Sequence, residues 1–334
     1  MNSVEASPVL AYESVMVWVH SQHGVPWTAS KMRRARTELR EGASLGFAFG
    51  ADPHKKLTEL WDKVLSQRPD LVLHVWSTRS GKRLSSEDLA ALTGLRQLRR
   101  LELSGFSNKT LSELAQLKAL TWLTIRGSLK SLAFLESLSK LQRLSVVGAV
   151  PDLSPIGACG RLRTLLLQSA TLRSLGFVEH LPRLQKLVIT GATVECDLAP
   201  LCNVPKLTEL SVSSNRNLRD AAFLERMTRL QSLRFDQPLV KELPSLARLT
   251  QLRDVHFQGM KAWSNPEALE SLPRVRSIVL REINPKLDAE RFFFLAHLKG
   301  LRHLDVRWID YGKRRREKLD AYLREHVKPS VLPQ

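Results

Sequence analysis

Cysteine is scarce in this sequence: Cys159, Cys196 and Cys202 are the only three in 334 residues. That is too few for a disulfide scaffold, and it sets the expectation of a reducing, cytoplasmic setting with packing thiols. No apolar run approaches the ~20 residues that a membrane helix needs. The stretch from Met1 to Trp18 carries Glu5 and Glu13 and no basic residue, so it lacks the positive flank of a secretory signal. Aromatic residues make up only 6%, few for the stacking platforms that hold single-stranded nucleic acid. The motifs of common catalysis are missing as well. There is no Walker loop, dinucleotide GxGxxG, HExxH helix or GxSxG elbow. Gly42, Gly46 and Gly50 are spaced by four with no Lys-Ser/Thr behind them, which argues against a phosphate cradle. His20 and His23 have no third ligand nearby, which leaves a surface turn. The expectation is a protein without enzymatic activity, metal or cofactor.

What the chain does have is apolar content and positive charge. At 43% hydrophobic and 25% charged it is suited to fold. Its formal net charge of +18 is the one extreme value, and it points to an anionic partner or surface. Residues 1–70 are close to neutral. Residues 71–308 hold 35 Lys/Arg against 21 Asp/Glu, and the remaining tail adds +3. The excess therefore belongs to the long middle of the chain.

That middle is periodic. Apolar triplets of the form LxxLxL recur as Leu98-Leu101-Leu103, Leu120-Leu123-Ile125, Leu141-Leu144-Val146, Leu162-Leu165-Leu167 and Leu184-Leu187-Ile189. They continue through Leu207, Leu230, Leu252 and Val275 to Leu301-Leu304-Val306. Successive units start about 22 residues apart, within the 20–29 typical of one repeat class. The spacing and the triplet resemble the leucine-rich repeat family, and segments such as Leu153-Ser154-Pro155-Ile156 resemble the returns of bacterial internalin-type repeats. The period-2 alternation in each triplet independently suits a half-buried strand. Leu132, Leu135 and Leu138, spaced by three, suit 3₁₀ or short helical turns. The resemblance implies an α/β solenoid with a curved parallel sheet on the concave face, 3₁₀ or short helical returns on the convex face, and helical caps. One departure stands out. Three residues after each triplet the family usually places a buried Asn, and only Asn215 conforms, so turn geometry is open, most of all after Phe235.

The domain reading follows. Residues 92–309 form the solenoid of about ten repeats, and 53–91 supply a cap helix and a strand that starts the stack. Residues 310–334 read as a cap helix with Leu319, Tyr322, Leu323 and Val327 on one face and Arg314, Arg315 and Arg316 in solvent. Residues 1–52 are helical or irregular, with a helix over Lys31–Arg40. They are either a small domain or an extended cap that covers the concave face.

The register assigns the residues that face outward from each strand. Trp122, Val147, Leu166 and Val188 bring apolar groups to non-core positions of adjacent repeats, surrounded by Arg126, Arg143 and Lys186. Apolar anchors ringed by cations are the anatomy of an interface hot spot. One residue before the triplets, Lys140, Arg161, Arg183, Lys206 and Arg229 form a basic rim over five consecutive repeats. Cys196-Asp197 lies inside a repeat, where a buried packing thiol is expected rather than a nucleophile. The function expected is a monomeric scaffold that binds an acidic or mixed-polarity protein through its concave face, as an inhibitor or immunity protein or a bacterial effector. The alternative is nucleic-acid or anionic-surface binding through the basic repeat surface.

Overall fold

The last two apolar residues of each triplet lie on a strand and point into one continuous core. The structure, a computed structural model, describes residues 25–79, 83–108, 111–309 and 313–333. Its strands make a 12-stranded parallel sheet in strict sequence order. They are β1 (Ser44–Phe49), β2 (Val72–Ser77), β3 (Arg100–Ser104), β4 (Trp122–Arg126), β5 (Arg143–Val147) and β6 (Thr164–Gln168). The second half comprises β7 (Lys186–Thr190), β8 (Glu209–Ser213), β9 (Ser232–Asp236), β10 (Asp254–Gln258), β11 (Ser277–Arg281) and β12 (His303–Trp308). Leu101, Leu123, Leu144, Leu165 and Leu187 stand opposite one another across β3–β7. All five are fully buried. Neither face of one repeat could bury its own leucines; the stack does it for all of them.

Short 3₁₀ turns return the chain along the outer side, at Ala133–Ser137, Ser154–Ala158, Gly176–His180, Ala199–Asn203 and Ala222–Arg226. Apolar residues at intervals of three line up on one side of such a turn. Leu132, Leu135 and Leu138 are all buried. Their backbones form a ladder in which Leu135 donates to Leu132 O at 2.9 Å and Leu138 to Leu135 O at 2.9 Å. Acidic side chains start several turns, as when Asp197 Oδ1 accepts the Ala199 N–H at 2.8 Å. Between β9 and β10 no helical return forms among residues 237–253. There Asn265 takes over, accepting the Leu243 N–H at 2.9 Å and donating to Leu243 O at 2.9 Å. This is the place where the triplet pattern left turn geometry open.

Asn215 does what its family position implies: its Oδ1 accepts the Ala192 N–H at 2.9 Å, and its Nδ2 donates to Ile189 O at 3.2 Å. Where Asn is missing, other turns close by direct backbone approach. Gly148 has φ +135°, and a Cβ there would stand 2.4 Å from the Gly127 carbonyl oxygen. Only glycine fits both requirements.

The amino-terminal segment departs from expectation. Ser44–Phe49, read as helical or irregular, is the sheet's first strand, with Leu45 opposite Leu73 and Phe47 opposite Val75. Gly46 makes room for this, since a Cβ there would meet the Trp76 ring at 2.7 Å. Helix α1 (Ala29–Glu38), capped by Thr28, buries Met32 and Ala35. The buried Trp27 donates from Nε1 to Gly46 O at 2.7 Å. Helix α2 (His54–Leu60) continues as one π-helical turn over Trp61–Leu65. It is clamped to α3 (Ser86–Thr93) by the fully buried Asp88, whose carboxylate meets His54 Nε2 at 2.7 Å and Arg79 at 2.5 Å. Residues 1–24, with His20, His23 and most of the segment expected to cross the concave face, lie outside the described residues, as do 310–312.

The carboxy-terminal cap is α4 (Lys313–His326), which buries Leu319 and Leu323. Arg315 corrects the sequence reading of a solvated Arg run. Its guanidinium donates to Asn284 O and Leu287 O, both at 2.6 Å, and so satisfies carbonyls at the open end of the last repeat.

Candidate functional site on the concave face

The pairing register fixes which side chains stand together. Trp122 lies between Arg100 and Arg143, Ser145 beside Leu166, and Leu166 beside Val188, each one strand apart. Arg126 and Val147 are neighbours in the adjoining column. The seven sequence-derived residues thus share one face of β4–β7. One of them is not available as an anchor: Val188 is only 7% exposed. It sits in the middle of the sheet between Leu166 and Ser211 and serves as floor. Trp122, Val147 and Leu166 are half-buried, and Arg143 is exposed.

Trp122 is held rather than loose. The Arg143 guanidinium lies over its ring at 4.5 Å from the centroid, and Arg100 stands at 5.6 Å. Its Nε1 donates to Thr124 Oγ1 at 3.3 Å. Each guanidinium is attracted to the ring quadrupole, while the two repel each other. Although the side chain as a whole is exposed, partial desolvation of its guanidinium among its neighbours, and then the Arg100 charge, pull the Arg143 pKa below its usual value. The neighbouring cations have partners. Arg126 Nε meets Glu102 at 2.6 Å, Lys186 meets Glu209 at 2.9 Å, and Arg100 donates to Asp70 O at 2.7 Å. Arg143 has the aromatic ring but no carboxylate among the described residues. The arrangement offers a flat aromatic surface, two aliphatic contacts and an unneutralised guanidinium.

The other half of the same face is closed upon itself. Ser211, His256, Val279 and Asp305 are buried in the central column. Asp305 accepts from Arg307 Nε at 3.0 Å and lies 3.8 Å from Arg281. Burial, followed by the Arg234 and Arg281 charges, pushes His256 down to about 4 against a weaker opposing pull from Asp305, so its imidazole is neutral at pH 7. A register shift in β12 sets Trp308, not Arg307, against Arg281. That bulge makes Trp308 the most exposed large apolar residue described, at 54%. A triplet pattern carries no sign of it.

The rim residues Lys140, Arg161, Arg183, Lys206 and Arg229 all lie exposed in the segments that lead into β5–β9. The cysteines are free thiols. Cys159 is buried as expected, but Cys196 and Cys202 are only half-buried. Burial raises all three pKa values, that of Cys159 to about 11, and the Asp197 and Glu195 charges add to the rise at Cys196. Such thiols are poor nucleophiles. Among the described residues no group of three His, Cys, Asp or Glu is placed to hold a metal ion, and no helix is long and apolar enough to cross a membrane.

Ordered parallel strands with 3₁₀ returns define a leucine-rich-repeat solenoid. Solved structures share it. An internalin (inlF) from Listeria monocytogenes is 18% identical, with 64% of this chain and 75% of that one covered and a TM-score of 0.44. The leucine-rich-repeat protein LIC12759 of Leptospira interrogans is 18% identical over 64% of this chain and 63% of its own, at 0.46. TLR13, solved in complex with ssRNA13, is 18% identical and gives a TM-score of 0.54; the match covers 79% of this chain but only 40% of that one. No protein-family model matches the sequence, and no curated protein does. The likeness is one of fold.

Proposed function

We propose that this protein is a non-enzymatic scaffold that binds an acidic or mixed-polarity protein through the amino-terminal half of its concave face. The observation that carries this reading is Trp122, clasped between two guanidinium groups of which Arg143 has no carboxylate partner among the described residues. Trp and Arg are the residues most enriched where truncation weakens interfaces, and a held ring loses little entropy on binding. Leu166 and Val147 extend the apolar area, and Arg126 and Lys186 border it. Across β3–β12 the face spans about 43 Å at ~4.8 Å per strand, a size that suits a protein rather than a metabolite. A solenoid presents such an area with little ordering on binding. An inhibitor or immunity protein acting on an acidic target, or an effector, are the roles this chemistry suits, with the chain itself a monomer in the cytoplasm.

The test is affinity capture from the native organism, followed by a binding isotherm for the captured partner. Trp122→Ala should weaken that affinity by about 2 kcal/mol or more, and Arg143→Glu should slow association and change its salt dependence. An isotherm unchanged by both substitutions would dismiss the concave patch.

A further inference from the structure

The charge of the solenoid is not spread over it. The four residues before each of β3 to β12 form one edge of the stack, where the chain enters the sheet. Each of these ten stretches holds at least one Lys or Arg, and none holds an Asp or Glu. Together they carry fourteen cations, from Arg96 to Arg302. Residues 71–308 have 35 Lys/Arg and 21 Asp/Glu, a difference of fourteen, so the rest of that span is neutral. The five rim residues seen in the sequence are the middle of this longer row.

All fourteen side chains are exposed, and none makes an ion pair among the described residues. Elsewhere on the solenoid carboxylates stand among the cations and pair with some of them, as Glu195 does with Arg173, Glu282 with Lys261 and Glu267 with Arg291. Along the edge, like charges on neighbouring strands stand about 5 Å apart at their bases and repel by up to about 1 kcal/mol per pair in water before screening. A polyanion laid along the row removes that repulsion and releases its own condensed counterions.

We infer that this edge binds the phosphodiester backbone of nucleic acid, independently of base sequence. Three features select that ligand. The row is narrow and linear, about 43 Å from β3 to β12, the length of about 13 base pairs at 3.4 Å each. Arginine predominates in it, as in Arg161, Arg163, Arg274 and Arg276, and guanidinium forks match phosphate oxygens. The leucines and valine of these stretches are turned inward except for a partly exposed Leu301, and no aromatic residue is present. The edge therefore has no ring on which to stack a base and no apolar wedge for a lipid surface, which leaves contacts to the backbone alone. This surface is separate from the concave patch, so the two can fail independently.

The experiment is fluorescence anisotropy with a labelled 20-nucleotide oligothymidine and a labelled 20-base-pair duplex, between about 50 and 200 mM salt. Both probes should bind, two unrelated duplex sequences should bind equally, and affinity should fall steeply with salt. Replacing Arg161, Arg183, Lys206 and Arg229 by Glu should weaken binding at least 100-fold and flatten the log–log salt slope by about four. A control variant with the same change in net charge, made at the exposed Arg33, Arg40, Lys130 and Lys241, should lose less than a tenth as much affinity. Arg143→Glu, on the concave face, should leave nucleic-acid binding unchanged. Single-strand or duplex preference separates the two sources of the same backbone. The inference is overturned if the control variant loses as much as the edge variant. It is equally overturned if vesicles rich in phosphatidylserine or polyglutamate bind more tightly than either oligonucleotide.

Discussion

The two halves of the concave face share one register and differ in what their charges do. Over β8–β12 the carboxylate of Asp305 is held by Arg307, with Arg281 nearby, and His256 is buried and neutral beneath them. Over β4–β7 the central column is small or apolar, and Arg143 rests on Trp122 with no acid to neutralise it. The entry edge goes further, with a row of exposed cations and no carboxylate. A single repeat geometry therefore yields one surface whose carboxylate is paired, one whose cations are partly paired and one of cations alone. The two binding surfaces proposed above are the last two, because groups already paired inside the protein gain little from a partner.

The largest effect should come from the floor beneath both halves. Leu165→Ala removes a fully buried side chain in the middle of the sheet and should cost about 2–5 kcal/mol in denaturant unfolding. A loss below 1 kcal/mol would mean that the two halves do not rest on one core. His256 probes the closed half. Its pKa is about 4 when folded and near 6.5 when unfolded, so the folded state resists protonation. The associated stability is fully present above pH 6.5 and is lost as pH falls towards 4, by up to about 3 kcal/mol. The wild type should therefore lose up to about 3 kcal/mol relative to His256→Leu on acidification over that window. Parallel curves would show that His256 titrates normally and that this half is open to solvent.

Trp122→Ala probes the open half: about 2 kcal/mol of partner affinity should disappear, with the far-ultraviolet spectrum of the solenoid retained. A comparable loss from Trp308→Ala instead would move the site to the carboxy-terminal end. The smallest effect separates paired from unpaired cations. Arg126→Gln breaks the contact with Glu102 and should lower stability by up to about 1 kcal/mol. Arg161→Gln relieves repulsion along the edge and should raise it by a few tenths at low salt, a gain that vanishes near 1 M. If both substitutions shift stability in the same direction, the division between paired and unpaired cations does not hold.

Much of this was legible from the chain because the repeat forces it. A period near 22 with apolar residues at fixed offsets determines strand, return and register together, so the sequence alone places Trp122, Arg143 and Leu166 on one face. The sequence also held the charge imbalance. Its confinement to one edge becomes visible only once the strand boundaries tell which residues precede each strand. Other features had no local signal. Ser44–Phe49 lacks the triplet and became a strand because Gly46 admits the Trp76 ring and β2 offers an unpaired edge. Arg315 looked solvated in a run of like residues until the last repeat presented it with three carbonyls.

Composition and periodicity determined the solenoid, its core and the sign of its surface, since burial of the leucines permits one register. Tertiary structure decided the rest: that Val188 is floor, that His256 is neutral, that a bulge exposes Trp308, and that Arg143 lies on the Trp122 ring. These depend on neighbours from repeats some 20 residues away, whose side-chain lengths and charges no single repeat contains.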